Sequence, residues 1–279
     1  MVRPGAMLEY KFDLSFRKIM EKVRPKKQLG QHFLNDKNIA LKIVDSLVAK
    51  NADTILEVGP GMGVLTQTLL ERFGNKLYAA EVDGDSIAYL NSFLPDLGDR
   101  LLHEDFLKYD LSKTAASNLA IIGNFPYNIS SQIFFKVIDN RNIVSEVVGM
   151  VQREVAQRIC EPPGTKTYGI LSVLLQAYFD IKYLFTVSEG VFTPPPKVKS
   201  AVIRLTRNEV KKLGCNEDLF KRVVKAGFNQ RRKTLRNSIK SGFQGFNGIH
   251  PLLDKRPEQL GVAEFVELTN YIEQQIVNS

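Results

Sequence analysis

The sequence is poor in the residues that bind metals and form disulfides, since its 279 residues include only two cysteines and three histidines. Cys160 and Cys215 lack the spacing of zinc ligands or of a disulfide framework, which fits a reducing compartment. No apolar run reaches the roughly 18 residues of a membrane span. Residues 1–20 carry charges throughout and lack the apolar stretch of a signal peptide. We therefore expect a soluble cytoplasmic protein with neither a metal site nor membrane contact.

The bulk composition is that of an ordinary globular protein with a basic surface. A hydrophobic content of 44% over this length predicts one large domain and a small one. The 38 Lys and Arg exceed the 30 Asp and Glu, which gives a net charge of +8 and a pI of about 9.3. Such a balance favours a polyanionic partner, although basic proteins without a nucleic-acid role are common.

Short apolar runs alternate with amphipathic segments, which predicts a parallel, doubly wound sheet with helices on both faces. The predicted strands are residues 54–58, 77–82, 100–103, 119–124 and 144–152. The predicted helices are residues 37–49, 65–73, 86–93 and 131–138. A longer helix over residues 168–179 precedes strands at 181–187 and 201–205, which flank a proline-rich loop at 191–198.

After Arg207 the pattern changes to helices separated by glycine-rich turns, predicted at residues 219–228, 233–239, 257–260 and 263–277. We therefore divide the chain into a basic extension (1–25), an α/β domain (26–207) and a small helical domain (208–279). We assign no fold to the extension, in which Met7 and Met20 are alternative starts to Met1.

The strand predicted at residues 119–124 ends in the turn Asn124-Phe125-Pro126-Tyr127. The Asn124 amide oxygen and the Phe125 carbonyl can accept hydrogen bonds from an exocyclic amine, and Tyr127 can stack on the ring that carries it. Pro126 fixes φ and holds the turn in shape. Two acceptors favour a more tetrahedral nitrogen, whose lone pair can then attack an electrophile. On its own, this segment is equally compatible with an ordinary strand-to-loop turn.

Three other strand ends can hold a nucleoside that supplies the electrophile. The first strand leads into Gly59-Pro60-Gly61-Met62-Gly63, but the third glycine of a dinucleotide fingerprint would fall on Val64. Glu81 ends the next strand and could accept both ribose hydroxyls, and Asp105 could accept an adenine amino group. Either acid alone would be an ordinary solvated strand end. Together these residues predict a nucleoside cofactor without a pyrophosphate, for which S-adenosylmethionine is the obvious choice.

Four segments resemble, in order, the signatures of the rRNA adenine N6,N6-dimethyltransferases, and most closely those of the KsgA-type branch: residues 27–34, 57–61, 124–130 and 192–198. The resemblance extends from about residue 26 to the C-terminus and implies a Rossmann-like, class I S-adenosylmethionine-dependent methyltransferase fold. It also implies dimethylation of two adjacent adenosines near the 3′ end of small-subunit rRNA. The substrate would be a ribosome assembly intermediate rather than naked RNA.

The resemblance also assigns site residues. It implies that the cofactor contacts are His32, Leu34, Gly59, Gly61, Glu81, Asp105 and Asn124. It implies that the target adenine is handled by Asn124, Phe125, Pro126 and Tyr127, with Phe192 of the proline-rich loop packing against it. His32 departs from the family's usual asparagine, and Phe125 from its usual aliphatic residue. We expect activity to survive both, because an imidazole can still form hydrogen bonds and only the backbone carbonyl of Phe125 is needed.

Basic residues near both ends are candidates for RNA contact: Lys26, Lys27, Arg231, Arg232, Lys233, Arg236 and Lys240. On a predicted helix, Arg232, Arg236 and Lys240 recur at i, i+4 and i+8 and form one cationic stripe that suits phosphates. A solvated helix face is the alternative, and a purely structural role for the helical domain stays open.

The expected reaction is a direct in-line displacement by adenine N6 without a covalent enzyme intermediate or a general base. Two alternatives share the fold. One is a large-subunit rRNA methyltransferase that confers antibiotic resistance, and the other is a non-catalytic RNA-binding assembly factor. We expect a monomer, because the sequence leaves no apolar surface stripe.

Overall fold

The structure is a computed structural model that describes residues 23–114 and 116–277, with only the backbone of Val277. Most of the predicted basic extension, with its alternative starts, therefore lies outside the described residues. Within residues 23–114 and 116–277, every helix is too short or too polar to cross a membrane. The described histidines, cysteines and acids form no group of three or more that could hold a metal ion.

The strands of the described residues are β1 (Phe33–Leu34), β2 (Thr54–Val58), β3 (Leu77–Glu81), β4 (Leu101–His103), β5 (Leu119–Asn124), β6 (Val144–Gln152), β7 (Phe179–Val187), β8 (Phe192–Thr193) and β9 (Ser200–Arg207). Seven of these described strands form one sheet in the order β4-β3-β2-β5-β6-β9-β7. The five strands from β4 to β6 in that order are parallel. The last two pairs, β6 with β9 and β9 with β7, are antiparallel.

The strand order places the ligand-binding edge at the centre of the sheet. From β2, the chain proceeds outward to β3 and β4, and it then returns to the other side of β2 for β5 and β6. Open α/β sheets bind ligands at this switch point, outside the carboxyl ends of the strands. The observed sheet confirms the expected Rossmann-like α/β class.

Helices cover both faces because the central strands are buried on both sides. Alternate residues of a strand point to opposite faces, so Ile55 of β2 joins one apolar cluster and Leu56 joins the other. The strand β5 behaves in the same way at Ile121 and Ile122. This burial explains why these strands are continuous apolar runs in the sequence.

The α-helices of the described residues are α1 (Lys37–Asp45), α2 (Val64–Phe73), α3 (Gly84–Phe93), α4 (Ser130–Asp139), α5 (Arg153–Cys160), α6 (Ile170–Gln176), α7 (Glu217–Asn229), α8 (Leu235–Gly242) and α9 (Val262–Val277). The helix predicted at residues 257–260 is a short 3-10 helix, Pro257–Gln259. The helix α1 begins at Lys37, as predicted, and the Asp36 carboxylate caps it by accepting hydrogen bonds from the amides of Asn38 and Ile39 at 2.8 and 3.0 Å. It ends four residues earlier than predicted, because the amides of Val48 and Ala49 donate to the carboxylate of Glu146, at 3.0 and 2.6 Å, instead of to helical carbonyls.

Two further helices, α6 and α5, differ from the predictions made from the sequence. The helix predicted over residues 168–179 is limited to α6, because Phe179 already pairs with Arg207 as the first residue of β7. The helix α5 was not predicted. It starts with the charged pair Arg153-Glu154, and its few buried residues, such as Ala156 and Ile159, gave a weak apolar signal.

The C-terminal helices share a core with one face of the sheet. Phe220 of α7 and Phe265 of α9 are fully buried in the same apolar cluster as Phe134 of α4 and Leu174 of α6. The main sheet ends at Arg207, where the domain boundary was predicted. We retain the helical domain over residues 208–279 as a proposal based on its helical content, since its apolar contacts are continuous with those of the sheet.

A separate two-stranded ribbon joins the N-terminal loop (residues 24–36) to the proline loop (residues 191–198). In this ribbon Phe33 pairs with Thr193, and Leu34 pairs with Phe192. The amide of Asn35 adds a 2.8 Å hydrogen bond to the carbonyl of Val191. These bonds hold both loops at the edge of the sheet where β2 and β5 end.

Candidate active site

A cavity of about 200 Å³ lies at the carboxyl ends of β2, β3 and β5. The predicted site residues that line it are His32, Leu34, Gly59, Gly61, Glu81, Asp105, Asn124, Phe125, Pro126 and Tyr127. The fold thus brings together the glycine loop, both strand-end acids and the whole aromatic turn, as expected for the carboxyl ends of neighbouring parallel strands.

The glycine loop requires glycine at Gly61 for two reasons. Its φ of 55° lies in the left-handed region, which strains other side chains. A Cβ atom there would also lie only 3.0 Å from the ring of Phe33 in the N-terminal loop. The loop therefore passes close beneath the N-terminal loop and leaves its backbone exposed to the cavity.

Glu81 is held rigidly at the end of β3. Its Oε2 accepts a hydrogen bond from the amide of Gly61 at 3.0 Å, and its Oε1 accepts from the amides of Val82 and Asp83 at 2.8 and 2.9 Å. Burial raises the pKa of Glu81, while these backbone donors favour the ionised form. Oε1 thus accepts two hydrogen bonds and Oε2 accepts one, so Oε2 keeps a lone pair that can accept a hydroxyl donor from a ligand.

Asp105 follows β4 and also lines the cavity. Its Oδ1 accepts a hydrogen bond from the amide of Leu107 at 2.9 Å, which fixes the side chain after β4. The ammonium of Lys108 lies 3.9 Å from Oδ2. The carboxylate is therefore oriented while its second oxygen keeps acceptor capacity.

Glu57 is a cavity residue that the sequence reasoning did not assign to a role. It lines the cavity with 2% of its surface exposed, and its Oε2 has no hydrogen-bond partner among the described residues. Burial raises the pKa of Glu57 to about 8, and the nearby Glu81 adds to the increase. The signal available in the sequence was a single acid within the otherwise apolar strand β2. A cationic ligand bound beside this carboxyl would lower the raised pKa and favour the ionised carboxylate.

The Asn124 side chain is oriented by the N-terminal loop. Its Nδ2 donates a 2.8 Å hydrogen bond to the carbonyl of His32. Because this bond uses the amide nitrogen, the amide oxygen is the atom left to accept a hydrogen bond from a ligand. That arrangement matches the acceptor role predicted for Asn124, which remains a proposal.

The aromatic side chain of Phe125 fits closely into the core at this place. Its fully buried ring packs edge-on against Phe134, with the centroids 5.9 Å apart. The ring also fills the space above Gly149, where a Cβ atom would lie 2.5 Å from it. The amide of Phe125 donates to the carbonyl of Met150 at 3.0 Å, which anchors the turn to β6. The side chain therefore packs in the core, and the backbone belongs to the cavity.

Tyr127 is half-buried, and both its hydroxyl group and its ring contact neighbouring side chains. Its hydroxyl oxygen lies 2.5 Å from that of Ser200, and its ring centroid lies 5.3 Å from that of His32. The Nδ1 of His32 lies 2.8 Å from the carbonyl of Pro194, which fits a donated hydrogen bond. Burial raises the pKa of Tyr127, and the bond to Ser200 opposes part of that increase.

Phe192 lies outside this cavity, although it was predicted to pack against the target base. It is 3% exposed and belongs to the apolar cluster of Leu34 and Val187. The pairing of β1 with β8 turns its side chain into that cluster. Contact between Phe192 and a base therefore stays a prediction, while packing in the core is what the structure describes.

Lys26, which was predicted to contact RNA, forms ion pairs within the protein, and its contact with RNA stays a prediction. Its ammonium forms ion pairs with Asp83, whose side chain is fully buried, and with Asp85 at 2.7 Å. These hydrogen bonds raise the pKa of Lys26 to about 12. Gln31 donates to the same Asp83 at 3.1 Å. Lys26 thus fastens the N-terminal loop over the cavity, whereas the neighbouring Lys27 is exposed.

The predicted cationic stripe was wrong as a helical feature. The helix α7 ends at Asn229 and α8 begins at Leu235, so Arg232 lies in the turn between them. Arg236 donates two hydrogen bonds to Asp254, at 3.0 and 2.7 Å. Arg231 donates to the carbonyl of Tyr168 at 3.1 Å. The cations that remain exposed from this group without a bond to a described residue are Arg232, Lys233 and Lys240.

Sequence comparisons agree across almost the whole chain. A family model described as Ribosomal RNA adenine dimethylase matches residues 22–274. The Ribosomal RNA small subunit methyltransferase A of Parabacteroides distasonis is 59% identical over 252 residues, which cover 90% of this chain and 94% of that protein. The protein of the same name from Cytophaga hutchinsonii is 57% identical over 255 residues, which cover 91% and 99%.

Solved structures share the fold. A dimethyladenosine transferase from Plasmodium falciparum matches with a TM-score of 0.69 and 24% identity, covering 87% of this chain and 97% of that chain. The 23S rRNA methyltransferase ErmE matches with a TM-score of 0.61 and 23% identity, covering 84% and 99%. These similarities confirm the predicted methyltransferase fold.

Proposed function

The chain belongs to the ribosomal RNA adenine dimethylase family, and we infer from this membership that it is an enzyme that dimethylates adenine N6 in small-subunit ribosomal RNA. One structural observation carries the proposal. A single cavity joins strand-end acids suited to a nucleoside with the Asn124–Tyr127 turn, which is suited to an adenine base.

The cavity residues fit S-adenosylmethionine as the methyl donor. We propose that Glu81 accepts its ribose hydroxyls and that Asp105 accepts its adenine amino group. The glycine loop, His32 and Leu34 would contact the rest of the cofactor. The unpartnered carboxyl of Glu57 complements a molecule that carries a sulfonium and an ammonium group. When bound, S-adenosylmethionine supplies a methyl group on a positively charged sulfur, which is an excellent leaving group.

The target adenine would be held by the aromatic turn. The Asn124 amide oxygen and the Phe125 carbonyl accept the N6 hydrogens, while the Tyr127 ring stacks on the base. Because these acceptors favour a tetrahedral N6 with a directed lone pair, positioning supplies most of the acceleration. The methylated ammonium is acidic and loses its proton to water, so no side chain needs to act as a general base. The adenine has to leave its stack to reach the cavity.

Of the seven cations predicted to contact RNA, we propose Lys27, Arg232, Lys233 and Lys240 as the main contacts, because the side chains of Lys26, Arg231 and Arg236 also bond within the protein. All four are exposed cations, and exposed Lys and Arg bind phosphates without sequence preference. We propose that residues 26–207 form the catalytic domain and that residues 208–279 dock on ribosomal RNA. We also propose that the protein acts as a cytoplasmic monomer on a ribosome assembly intermediate, at two adjacent adenosines near the 3′ end of the small-subunit rRNA.

The test is transfer of labelled methyl groups from S-adenosylmethionine to small-subunit particles that lack the modification. Large-subunit particles and protein-free rRNA serve as controls. We expect incorporation that corresponds to dimethylation of both adenosines in the small-subunit particles and none in the controls. Transfer to large-subunit RNA would instead identify a resistance-type methyltransferase. Cofactor binding without any transfer would identify a non-catalytic RNA-binding factor.

A further inference from the structure

We propose that Ser200 is a positioning residue for methyl transfer, because its hydroxyl holds the Tyr127 phenol in the orientation on which the target adenine stacks. Ser200 lies outside the described lining of the cavity and touches neither of the proposed ligands. It would therefore act only through Tyr127. The inference rests on the proposed function, since it assumes that Tyr127 stacks on the base.

The hydroxyl of Ser200 has a fixed position in the sheet. Ser200 is fully buried and is the first residue of β9, where it pairs with Gln152 of β6 on one side and with Val187 of β7 on the other. Two neighbouring strands therefore fix its backbone, and burial limits the movement of its side chain. The 2.5 Å between the two hydroxyl oxygens makes the link to Tyr127 a close hydrogen bond.

Tyr127 needs such an anchor because its backbone belongs to a loop, and the second torsion of a tyrosine side chain is broad. The turn itself is held by the Ser130 hydroxyl, which donates to the Tyr127 carbonyl at 3.2 Å. That contact fixes the main chain but not the ring. The Ser200 bond fixes the position of the phenol oxygen and therefore the direction of the ring axis. Because a phenol hydroxyl prefers hydrogen-bond partners near the plane of its ring, the bond also restricts rotation of the ring.

The orientation of the ring matters because it sets the approach of the base. A stacked adenine takes the plane of the ring beneath it, and its N6 must meet both the Asn124 amide oxygen and the methyl group. A small misplacement of reacting atoms lowers the rate strongly without a comparable loss of binding. Loss of the Ser200 bond should therefore lower kcat and leave the affinity for S-adenosylmethionine unchanged.

The experiment compares Ser200→Ala, Tyr127→Phe and the double variant with the unaltered protein in the small-subunit methylation assay. Each single variant removes one partner of the same hydrogen bond. We expect each to lower kcat about five- to tenfold, with an unchanged KM for S-adenosylmethionine. Because both changes remove one interaction, the double variant should be no slower than the singles.

Ser238→Ala is the matched control, since Ser238 is a serine with 2% exposure whose hydroxyl bonds only to helical carbonyls among the described residues. It should keep the unaltered kcat. Thermal unfolding of each variant reports whether folding is retained. If Ser200→Ala fails to fold, Tyr127→Phe carries the test, because it keeps the ring and removes the same bond.

Three results would overturn the proposal: an unchanged kcat in the folded variants, single effects that multiply in the double variant, or a loss of cofactor affinity equal to the loss of kcat. Failure of the proposed function would be seen in the unaltered protein rather than in the variants. In that case the unaltered protein itself would transfer no methyl groups to small-subunit particles.

Discussion

At Asn124, one side-chain amide serves both the architecture of the site and its chemistry. Its nitrogen holds the N-terminal loop through the carbonyl of His32, while its oxygen is available to the target amine. We expect Asn124→Ala to lower kcat roughly ten- to a hundredfold, because a hydrogen bond to a developing charge is worth about 1.5–3 kcal/mol. RNA binding should change far less, as measured by filter binding to small-subunit particles.

The exposed residue Asn38 of α1 provides the control for this change, since Asn38→Ala deletes the same amide away from the cavity. Equal losses of RNA affinity and turnover in Asn124→Ala would show that Asn124 acts in RNA binding rather than in the reaction.

Glu57 makes stability depend on pH. Burial raises its pKa from 4.5 in the unfolded chain to about 8 in the folded protein, so the folded state binds this proton more tightly. Its contribution to stability is complete below pH 4.5 and is lost as pH rises to about 8. Across that window the free energy of unfolding should fall by about 1.4 kcal/mol per pH unit from this group.

Glu57→Gln should remove that contribution, so thermal unfolding of the variant should depend less on pH between 5 and 8. Glu71→Gln makes the same change at an exposed position of α2 and should leave the pH dependence unaltered. Parallel curves for the unaltered protein and Glu57→Gln would mean that Glu57 is already ionised in the folded state.

The role of a residue was predictable from the sequence where a side chain of suitable chemistry also ends or follows a predicted strand. Glu81, Asp105 and Asn124 each end or follow a strand, and the parallel sheet brings them to one cavity as predicted. Glu57 went unassigned because an acid inside a buried strand shows no sign of facing a cavity until the strand is placed. The ion pair of Lys26 joins residues 57 positions apart, and no local pattern encodes such a contact.

At the scale of elements, two neighbouring lysines of the N-terminal loop differ in role. Lys26 forms ion pairs that hold the loop over the cavity, whereas Lys27 is exposed. Lys26→Met should weaken S-adenosylmethionine binding about three- to tenfold, because it leaves the buried Asp83 without its cation. Lys27→Met should leave that affinity unchanged and weaken binding to small-subunit particles instead. Calorimetric titration of the cofactor and salt-dependent particle binding distinguish the two variants.

The opposite outcome, with reduced RNA affinity in Lys26→Met and an unchanged cofactor affinity, would support the prediction from the sequence that Lys26 contacts RNA. It would also mean that the ion pair to Asp83 opens when RNA binds.

The strands were easier to predict than the helices for a physical reason. The strands β2, β5 and β6 are buried on both faces, so their apolar runs end where the strands end. The apolar run of α6 continues through Tyr178 into β7, and periodicity alone does not show where a helix gives way to a strand. The turn before α8 was not predicted, because Arg232 and Lys233 are compatible with a helix. Only the tertiary structure shows that the chain turns between Asn229 and Leu235.

For the whole molecule, the basic surface should make RNA binding strongly dependent on salt. Replacing Arg232, Lys233 and Lys240 by glutamine should reduce the slope of log K against log salt by about 0.7–0.9 for each cation that contacts a phosphate. Lys50→Gln removes an exposed cation in the loop between α1 and β2 and serves as the control. An unchanged slope in the triple variant would place the RNA on another surface.

The common core of the sheet and the C-terminal helices makes them one cooperative unit. Phe220 and Phe265 pack in the same cluster as Leu174 beneath the sheet, and burial of each Phe side chain stabilises the fold by about 1.5–3 kcal/mol. We therefore expect calorimetry to show a single unfolding transition for the whole chain. A fragment that stops at residue 207 would expose the side of α6 on which α7 and α9 pack and should aggregate, so RNA docking and catalysis are not separable by truncation.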